Sequence, residues 1–414
     1  MKGMQGTVFR TFLLLGFLLF WVLEFSSPTE GRGCLERLQT LSQTEEVATI
    51  DRLLSERRPI VVAHGKNYNI SEESTWQNYE HSIREGADVL EFDVWITRDG
   101  IPIVLHDPTF HRIAKDYRTP QEAIDAFIQN KPELARRKQA DWDFLLFDRV
   151  SSHTLRDIQD HIKVFDGHSG NQYEVITLAQ MLDAIRTPTL FQRPPYRYVA
   201  RGPPSDERVL PARTILLDRS IYYYIDFKDA NFIGRVIENQ SIWDWERASW
   251  SYGDLYDFTA RAIEGLVKTL ETHQGVEKCL VVARHPLIVK MIQRLNPRVR
   301  ILASTDLVGP DASPDAVVAE MKKFAVYRPA LFEIKYLKHI LSPNVRLAAS
   351  RLGFKLFYDM IAQTDPKQFE GPYRDNLPKL LDDILRLGDD ILIQTNTVRE
   401  VRTYLDRRYP FLKP

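Results

Sequence analysis

Residues Ile60 to Arg112 read IVVAHGKNYNISEESTWQNYEHSIREGADVLEFDVWITRDGIPIVLHDPTFHR. Three short apolar runs in this stretch end abruptly on ionisable side chains. Val61, Val62 and Ala63 lead into His64, Val89 and Leu90 into Glu91-Phe92-Asp93, and Ile103, Val104 and Leu105 into His106-Asp107. Such runs read as buried strands that deliver chemistry to the mouth of a sheet or barrel. Side chains two apart on a strand share a face, so Glu91 and Asp93 point together and can hold one cation. Arg98-Asp99-Gly100 is a turn signal. If the chain doubles back there, residues whose numbers sum to about 199 lie opposite one another, and Asp93 faces His106. If the strands are parallel instead, both residues still end at one rim. Two histidines beside a carboxylate-bound cation suit phosphoryl transfer: the cation screens the phosphate, one imidazole accepts a proton and the other donates one.

The quoted run resembles the glycerophosphodiester phosphodiesterase family. The matching fragments are Ala63-His64, Glu73-Ser74-Thr75, Gly86-Ala87-Asp88 through Glu91-Phe92-Asp93-Val94, Thr97-Arg98-Asp99-Gly100 and His106-Asp107-Pro108. Each fragment is weak alone, and together they are specific. The resemblance implies a TIM (β/α)8 barrel with one divalent cation, Mg2+ or Ca2+, and His64 and His106 as the acid/base pair in either order. It also implies an arginine after the first histidine, where this chain has Gly65 followed by Lys66. Lys66 would then meet the phosphate as a point charge rather than as a bidentate fork.

The rest of the chain bounds these readings. A 414-residue chain with 44% hydrophobic content and a formal charge of -1 is ordinary globular material, long enough for one large barrel. A near-neutral pI without a long basic run argues against nucleic acid. Lys2 and Arg10 precede the apolar run Thr11 to Phe25. Residues 1–30 therefore read as a signal peptide or an uncleaved membrane anchor, and 35–414 as the barrel on the lumenal or extracellular side. Asn69-Ile70-Ser71 and Asn239-Gln240-Ser241 fit the glycosylation acceptor pattern on that topology. Cys34 and Cys279 lack metal-ligand spacing and read as free thiols.

Residues 35–58 read as a helix, Trp76 to Glu85 as the first barrel helix, and His81 on it as a surface residue rather than a ligand. An insertion over about 108–219 follows the third strand. It carries two helix starts, at Thr154-Leu155-Arg156 and Ile176-Thr177-Leu178, and a Pro- and Arg-rich exposed loop from Arg193 to Arg213. Ser220 to Asp229 reads as the next strand. The resemblance makes Asp226 the third metal carboxylate, with Asp in place of the family's Glu, and Lys228 a phosphate-binding residue. Glu333-Ile334-Lys335 rivals it with the unaltered motif. Strands at 278–283, 299–303, 331–334, 354–358 and 390–394 alternate with helices at 258–272, 289–295 and 345–351. Arg284-His285 stands at a strand end, either reaching the pocket or incidental before Pro286. Later family motifs are replaced by Phe357-Tyr358-Asp359 and Thr395-Asn396.

The expectation is a metal-dependent phosphodiesterase acting on glycerophosphodiesters or related lysophospholipids. Glu91, Asp93 and Asp226 hold the cation, and His64 and His106 handle protons. Two alternatives stand beside it. One is a phospholipase D-like enzyme of the spider-toxin type that forms a cyclic phosphate, a group with a shorter interval between the first His and the Glu. The other is a barrel that binds phospholipid head groups without turning them over.

Overall fold

The computed structural model describes residues 49–56, 58–65, 74–107, 114–116, 150–167, 169–201, 207–228, 252–304, 309, 311–359, 376–386 and 391–410. The apolar run Thr11 to Phe25, Cys34, Lys66, both glycosylation tripeptides and most of the predicted helix at 35–58 lie outside the described residues. No helix among the described residues is long and apolar enough to cross a membrane.

Ten strands of one sheet contain the barrel. In chain order they are β1 (Ile60–Ala63), β2 (Val89–Ile96), β3 (Pro102–Val104), β7 (Ile176–Thr177), β12 (Tyr222–Phe227), β13 (Cys279–Ala283), β14 (Arg300–Ser304), β15 (Leu331–Ile334), β16 (Lys355–Asp359) and β17 (Leu392–Thr395). Eight run parallel in the order β1, β2, β12, β13, β14, β15, β16, β17, and β17 pairs back onto β1. This closed parallel ring with intervening helices is the expected TIM barrel. The short apolar runs forecast as strands lie within a residue or two of these spans.

β3 is not one of the eight. It folds back antiparallel on β2 and carries β7 on its other side. The predicted hairpin forms, with its register one residue from the expected one: Val94 is opposite Val104, and the Leu105 N–H donates to the Asp93 carbonyl at 2.9 Å. Asp93 therefore faces Leu105, and His106 follows it. The turn at Gly100 explains the offset, because Thr97 closes on Ile101 and Gly100 takes the left-handed φ of 82°.

Period-two alternation divides each strand between two cores. Val61, Leu90, Phe92, Tyr223, Ile225 and Val281 face outward into the layer shared with the helices. Val62, Val89, Tyr222, Tyr224, Leu280, Val282, Leu302, Phe357 and Leu392 fill the interior. The helix Ile50–Ser55, capped by Thr49, adds Ile50, Leu53 and Leu54 to that interior cluster beside Ile60. It plugs the end of the barrel where the strands begin. Phe92 meets Tyr79 of the helix Trp76–Arg84 edge-on at 4.9 Å and Tyr223 at 4.5 Å, locking helix, β2 and β12 together.

The described part of the insertion carries more regular structure than its sequence suggests. β4 (Ala114–Asp116), β5 (Ile162–Phe165), β6 (Gln172–Glu174), β9 (Tyr196–Val199) and β10 (Glu207–Leu210) form an antiparallel sheet, and β8 (Leu190–Arg193) pairs with β11 (Arg213–Leu216). Within the predicted exposed loop from Arg193 to Arg213, residues 193, 196–199, 207–210 and 213 are thus strand. Arg193 itself is buried, with Nε 2.6 Å from Glu80, which also receives Arg213 at 3.0 Å. An arginine run looks solvated in sequence, but a buried Glu80 gives it partners. Both forecast helix starts are present, with Thr154 and Thr177 as N-caps and a capping box between Thr177 and Gln180.

Close approach of backbones sets one sharp requirement. A Cβ on Gly265, in the helix Tyr252–Thr272, would lie 2.5 Å from the carbonyl oxygen of Gly100. Gly265→Ala is expected to cost about 1–3 kcal/mol of unfolding free energy through displacement of the β2–β3 turn. Chemical denaturation measures this, and an unchanged midpoint would contradict the packing.

Candidate active site

Alternation brings the ionisable residues to one end of the interior. Above the apolar layer, the same face of each strand continues into Glu91 and Asp93 on β2, Asp226 on β12, Arg284 just past β13, Glu333 on β15 and Gln394 on β17. His64 and Asn396 stand just past β1 and β17, whose ladder ends with Ala63 opposite Thr395. This is the end at which the strands finish, where barrel sites are built from strand termini and the loops after them.

Glu91, Asp93 and Asp226 are buried, and each offers an oxygen within 4.8 Å of the others. The register makes this inevitable, since Asp226 lies directly opposite Asp93 in the parallel β2–β12 ladder. Lys228 bridges two of them, with Nζ 2.6 Å from Asp93 Oδ1 and 2.5 Å from Asp226 Oδ2. Arg284 Nη2 donates to the same Asp226 oxygen at 2.8 Å. Glu91 Oε2 accepts from the Gly65 N–H at 3.1 Å and from Gln394 Nε2 at 2.6 Å.

Charge is unevenly compensated. Burial would raise the Asp226 carboxyl, but Arg284 and then Lys228 hold it well below the usual carboxylate range. Lys228, which burial alone would lower, is pushed far above the ordinary lysine range by Asp226 and Asp93. Glu91 goes the other way: burial, then Asp93 and Asp226, lift it well above its ordinary value. Positive charge gathers at Asp93 and Asp226, which Lys228 and Arg284 contact and Lys335 also influences, while Glu91 sits at the other side of the group against the Gly65 N–H and Gln394. Oxygen donors in that arrangement fit a hard divalent cation such as Mg2+ or Ca2+.

His64 joins the group. Its Nε2 is 3.6 Å from Glu91 Oε2, and its Nδ1 is 2.7 Å from Asn396 Oδ1. With that amide oxygen as acceptor, Nδ1 carries the proton and Nε2 turns its lone pair toward the carboxylates. His106 is placed differently. Its Nδ1 lies 2.6 Å from Asp107 Oδ1, its side chain is 37% exposed, and its carbonyl accepts from Trp95 Nε1. The one-residue register offset puts Leu105, not His106, across from Asp93.

Other forecast residues sort themselves by contact. Among the described residues, the rival Glu333 stands outside the carboxylate group, 3.4 Å from the Tyr224 hydroxyl. His81 lies 2.6 Å from Glu85 on its own helix. His285 caps the helix Pro286–Leu295, accepting from the Leu287 N–H at 3.1 Å. Cys279 is a free, buried thiol that burial pushes above the usual thiol range. Gln394 and Asn396, to which the strand readings give no role, reach the site, and so does Arg284, which those readings leave open between pocket and loop. Extending the period-two pattern of β13 past its end identifies Arg284, whereas the two amides leave no such mark.

Residues 62–192 match the family described as the Glycerophosphoryl diester phosphodiesterase family, the span that carries the motifs of the sequence. No curated protein matches the chain. Among solved structures, the chain is similar to a putative glycerophosphoryl diester phosphodiesterase from Silicibacter pomeroyi, at 13% identity and TM-score 0.49, covering 86% of this chain and 95% of that one. A putative glycerophosphodiester phosphodiesterase from Galdieria sulphuraria matches at 12% identity and TM-score 0.49, over 85% of this chain and 100% of that one. An Oleispira antarctica phosphodiesterase, solved with the product sn-glycerol-3-phosphate, matches at 12% identity and TM-score 0.46, over 84% and 97%.

Proposed function

We propose that this chain, with its glycerophosphoryl diester phosphodiesterase match over residues 62–192, is a phosphoric diester hydrolase that cleaves glycerophosphodiesters to glycerol phosphate and an alcohol. The observation that carries the reading is the buried group of Glu91, Asp93 and Asp226 at the strand termini, with His64 beside it. Such a group without a catalytic task would be an expensive way to stabilise a barrel.

Glu91, Asp93 and Asp226 would hold a divalent cation, which when bound polarises the phosphate and lowers the pKa of a coordinated hydroxyl or water. Lys228 neutralises charge on the phosphate while its own contacts with Asp93 and Asp226 keep it protonated. His64 acts as the base: Asn396 holds the Nδ1 proton, so Nε2 is the nitrogen able to take one. His106 is the residue from which the leaving alcohol receives its proton, and its partner Asp107 orients the ring.

Three finer points belong to the same proposal. Lysophospholipids share the phosphodiester and fit as second substrates. A substrate hydroxyl in place of water as nucleophile would give a cyclic phosphate, which phosphorus NMR of the product distinguishes. The cation is Mg2+ or Ca2+, both matched to an all-oxygen donor set.

The test uses glycerophosphocholine, glycerophosphoinositol and lysophosphatidylcholine with Mg2+, Ca2+ or EDTA. Turnover is expected with a divalent cation and is abolished by EDTA, and Asp226→Asn should raise the cation concentration for half-maximal rate by about 10- to 100-fold. Head-group binding without cleavage under any cation would replace the hydrolase with a binding barrel.

A further inference from the structure

Arg284 follows β13 on the interior side and brings a second fixed cation to the carboxylates. The β12–β13 ladder pairs Tyr223 with Cys279 and Ile225 with Val281, so continuing it past the strand ends places Arg284 across from Lys228. Both contact Asp226 Oδ2, at 2.8 Å and 2.5 Å. Their side chains are 13% and 18% exposed, enough for both to be met from the mouth.

Neutralising Asp226 does not require both of them. Lys228 already bridges Asp226 and Asp93. A guanidinium added to that pair brings a planar array of N–H donors whose spacing matches two oxygens of one phosphate, a fit that an ammonium cannot offer. The position after His64 offers no such group. Gly65 packs there, a Cβ on it would lie 3.5 Å from Asp93 Oδ2, and its N–H is spent on Glu91.

We propose that Arg284 is a phosphate-binding residue of this site, its fork engaging two non-bridging oxygens of the scissile phosphodiester from the β13 side. The proposal rests on the hydrolase reading above. It assigns the anion-clamping task, for which Lys66 was the candidate in sequence, to a side chain more than two hundred residues further along the chain.

The experiment compares the full chain with Arg284→Gln and Arg284→Lys, in the cation that supports turnover, with glycerophosphocholine as substrate and inorganic phosphate as inhibitor. Arg284→Gln is expected to lower kcat/KM by about 10²- to 10³-fold, the loss typical of a donor aimed at transition-state charge. Arg284→Lys, which keeps the charge but not the fork, should recover no more than about tenfold of that. Inhibition by phosphate should weaken in both variants, while the cation concentration for half-maximal rate stays unchanged. Phosphate inhibition that is unaltered in both variants would overturn the proposal. So would a cation requirement that rises in step with the loss of rate, because Arg284 would then only position Asp226. If Arg284→Gln does not fold, the Lys variant decides on the same two readouts. If the unaltered chain cleaves no diester, the hydrolase reading fails separately. Calorimetric titration of inorganic phosphate with Mg2+ into the unaltered and Lys chains then judges Arg284 alone: tighter binding by the unaltered chain supports it, and equal binding overturns it.

Discussion

His64→Ala is expected to lower kcat for a glycerophosphodiester by about 10²- to 10⁴-fold, the contribution of a positioned base, and to remove the acidic limb of the kcat/KM profile against pH. The imidazole is held at both ends, with Nδ1 on Asn396 and Nε2 toward Glu91. Removing it takes away the ring nitrogen that lies 3.6 Å from Glu91 Oε2. Asn396→Ala tests the geometry behind this. The ring remains but loses the acceptor that fixes its tautomer, so a smaller loss of about 10- to 100-fold is expected, with the acidic limb retained. Steady-state kinetics across pH measures both. Turnover of His64→Ala within about tenfold of the unaltered chain would remove His64 from proton transfer and leave catalysis to the cation, the phosphate-binding cations and His106.

How far the sequence reveals this site depends on which physical signal each residue leaves. The strand readings rest on apolar runs, and a run ending in Glu91-Phe92-Asp93 announces both the strand and the chemistry, because alternation fixes the shared face. The run SIYYYIDFKD announces its strand in the same way, but the role of Asp226 comes from the family resemblance. Asn396 and Gln394 leave no comparable mark, since an amide after an apolar run is as common at a barrel end as in any loop. They become visible only once the β1–β17 ladder sets Val62 against Gln394 and Ala63 against Thr395. Arg284 is ambiguous for a related reason: the Pro286 that follows it signals a loop, yet proline here is the first residue of the helix Pro286–Leu295. The direction of β3 stays open in the sequence between a hairpin and a parallel strand, because periodicity carries no direction. The stretch from Arg193 to Arg213 reads as an exposed loop because its strands are short, polar on one face and rich in arginine. Their acceptors, Glu80 and Glu174, lie far away in sequence.

Asp88→Ala is expected to destabilise the chain by about 3–5 kcal/mol, although Asp88 belongs to the same Gly86-Ala87-Asp88 motif that leads into the metal carboxylates. The motif's two ends do different work. Asp88 is 1% exposed and precedes β2, at the end of the barrel away from the site. Its Oδ2 accepts from the Val61 N–H at 2.9 Å, from Arg58 at 3.1 Å and from Arg402 of the helix Val398–Arg408, and Arg219 approaches Oδ1 at 3.8 Å. These partners precede or belong to β1, precede β12 and lie on the last described helix, so one carboxylate ties the start of the ring to its end. Truncation leaves three largely buried guanidinium groups and a strand N–H without their acceptor. Asp88→Asn keeps an acceptor oxygen but not the charge, and should fall between the two. The pH dependence follows from the direction of the shift. Burial would raise the Asp88 carboxyl, but Arg402, then Arg58, then the Val61 N–H hold it below its ordinary value. A carboxylate depressed in the folded state contributes its full stability above the unfolded value of about 3.9, and loses it as pH falls through the lower folded value. Urea denaturation should therefore show a constant gap between the unaltered chain and Asp88→Asn above about pH 5, narrowing below about pH 4. A gap that stays constant into acid would mean that the acceptor geometry, and not the charge, holds these segments together. Kinetics of Asp88→Asn below its melting transition complete the separation. An unchanged cation requirement and rate are expected there, because the carboxylate reaches the site only through the scaffold.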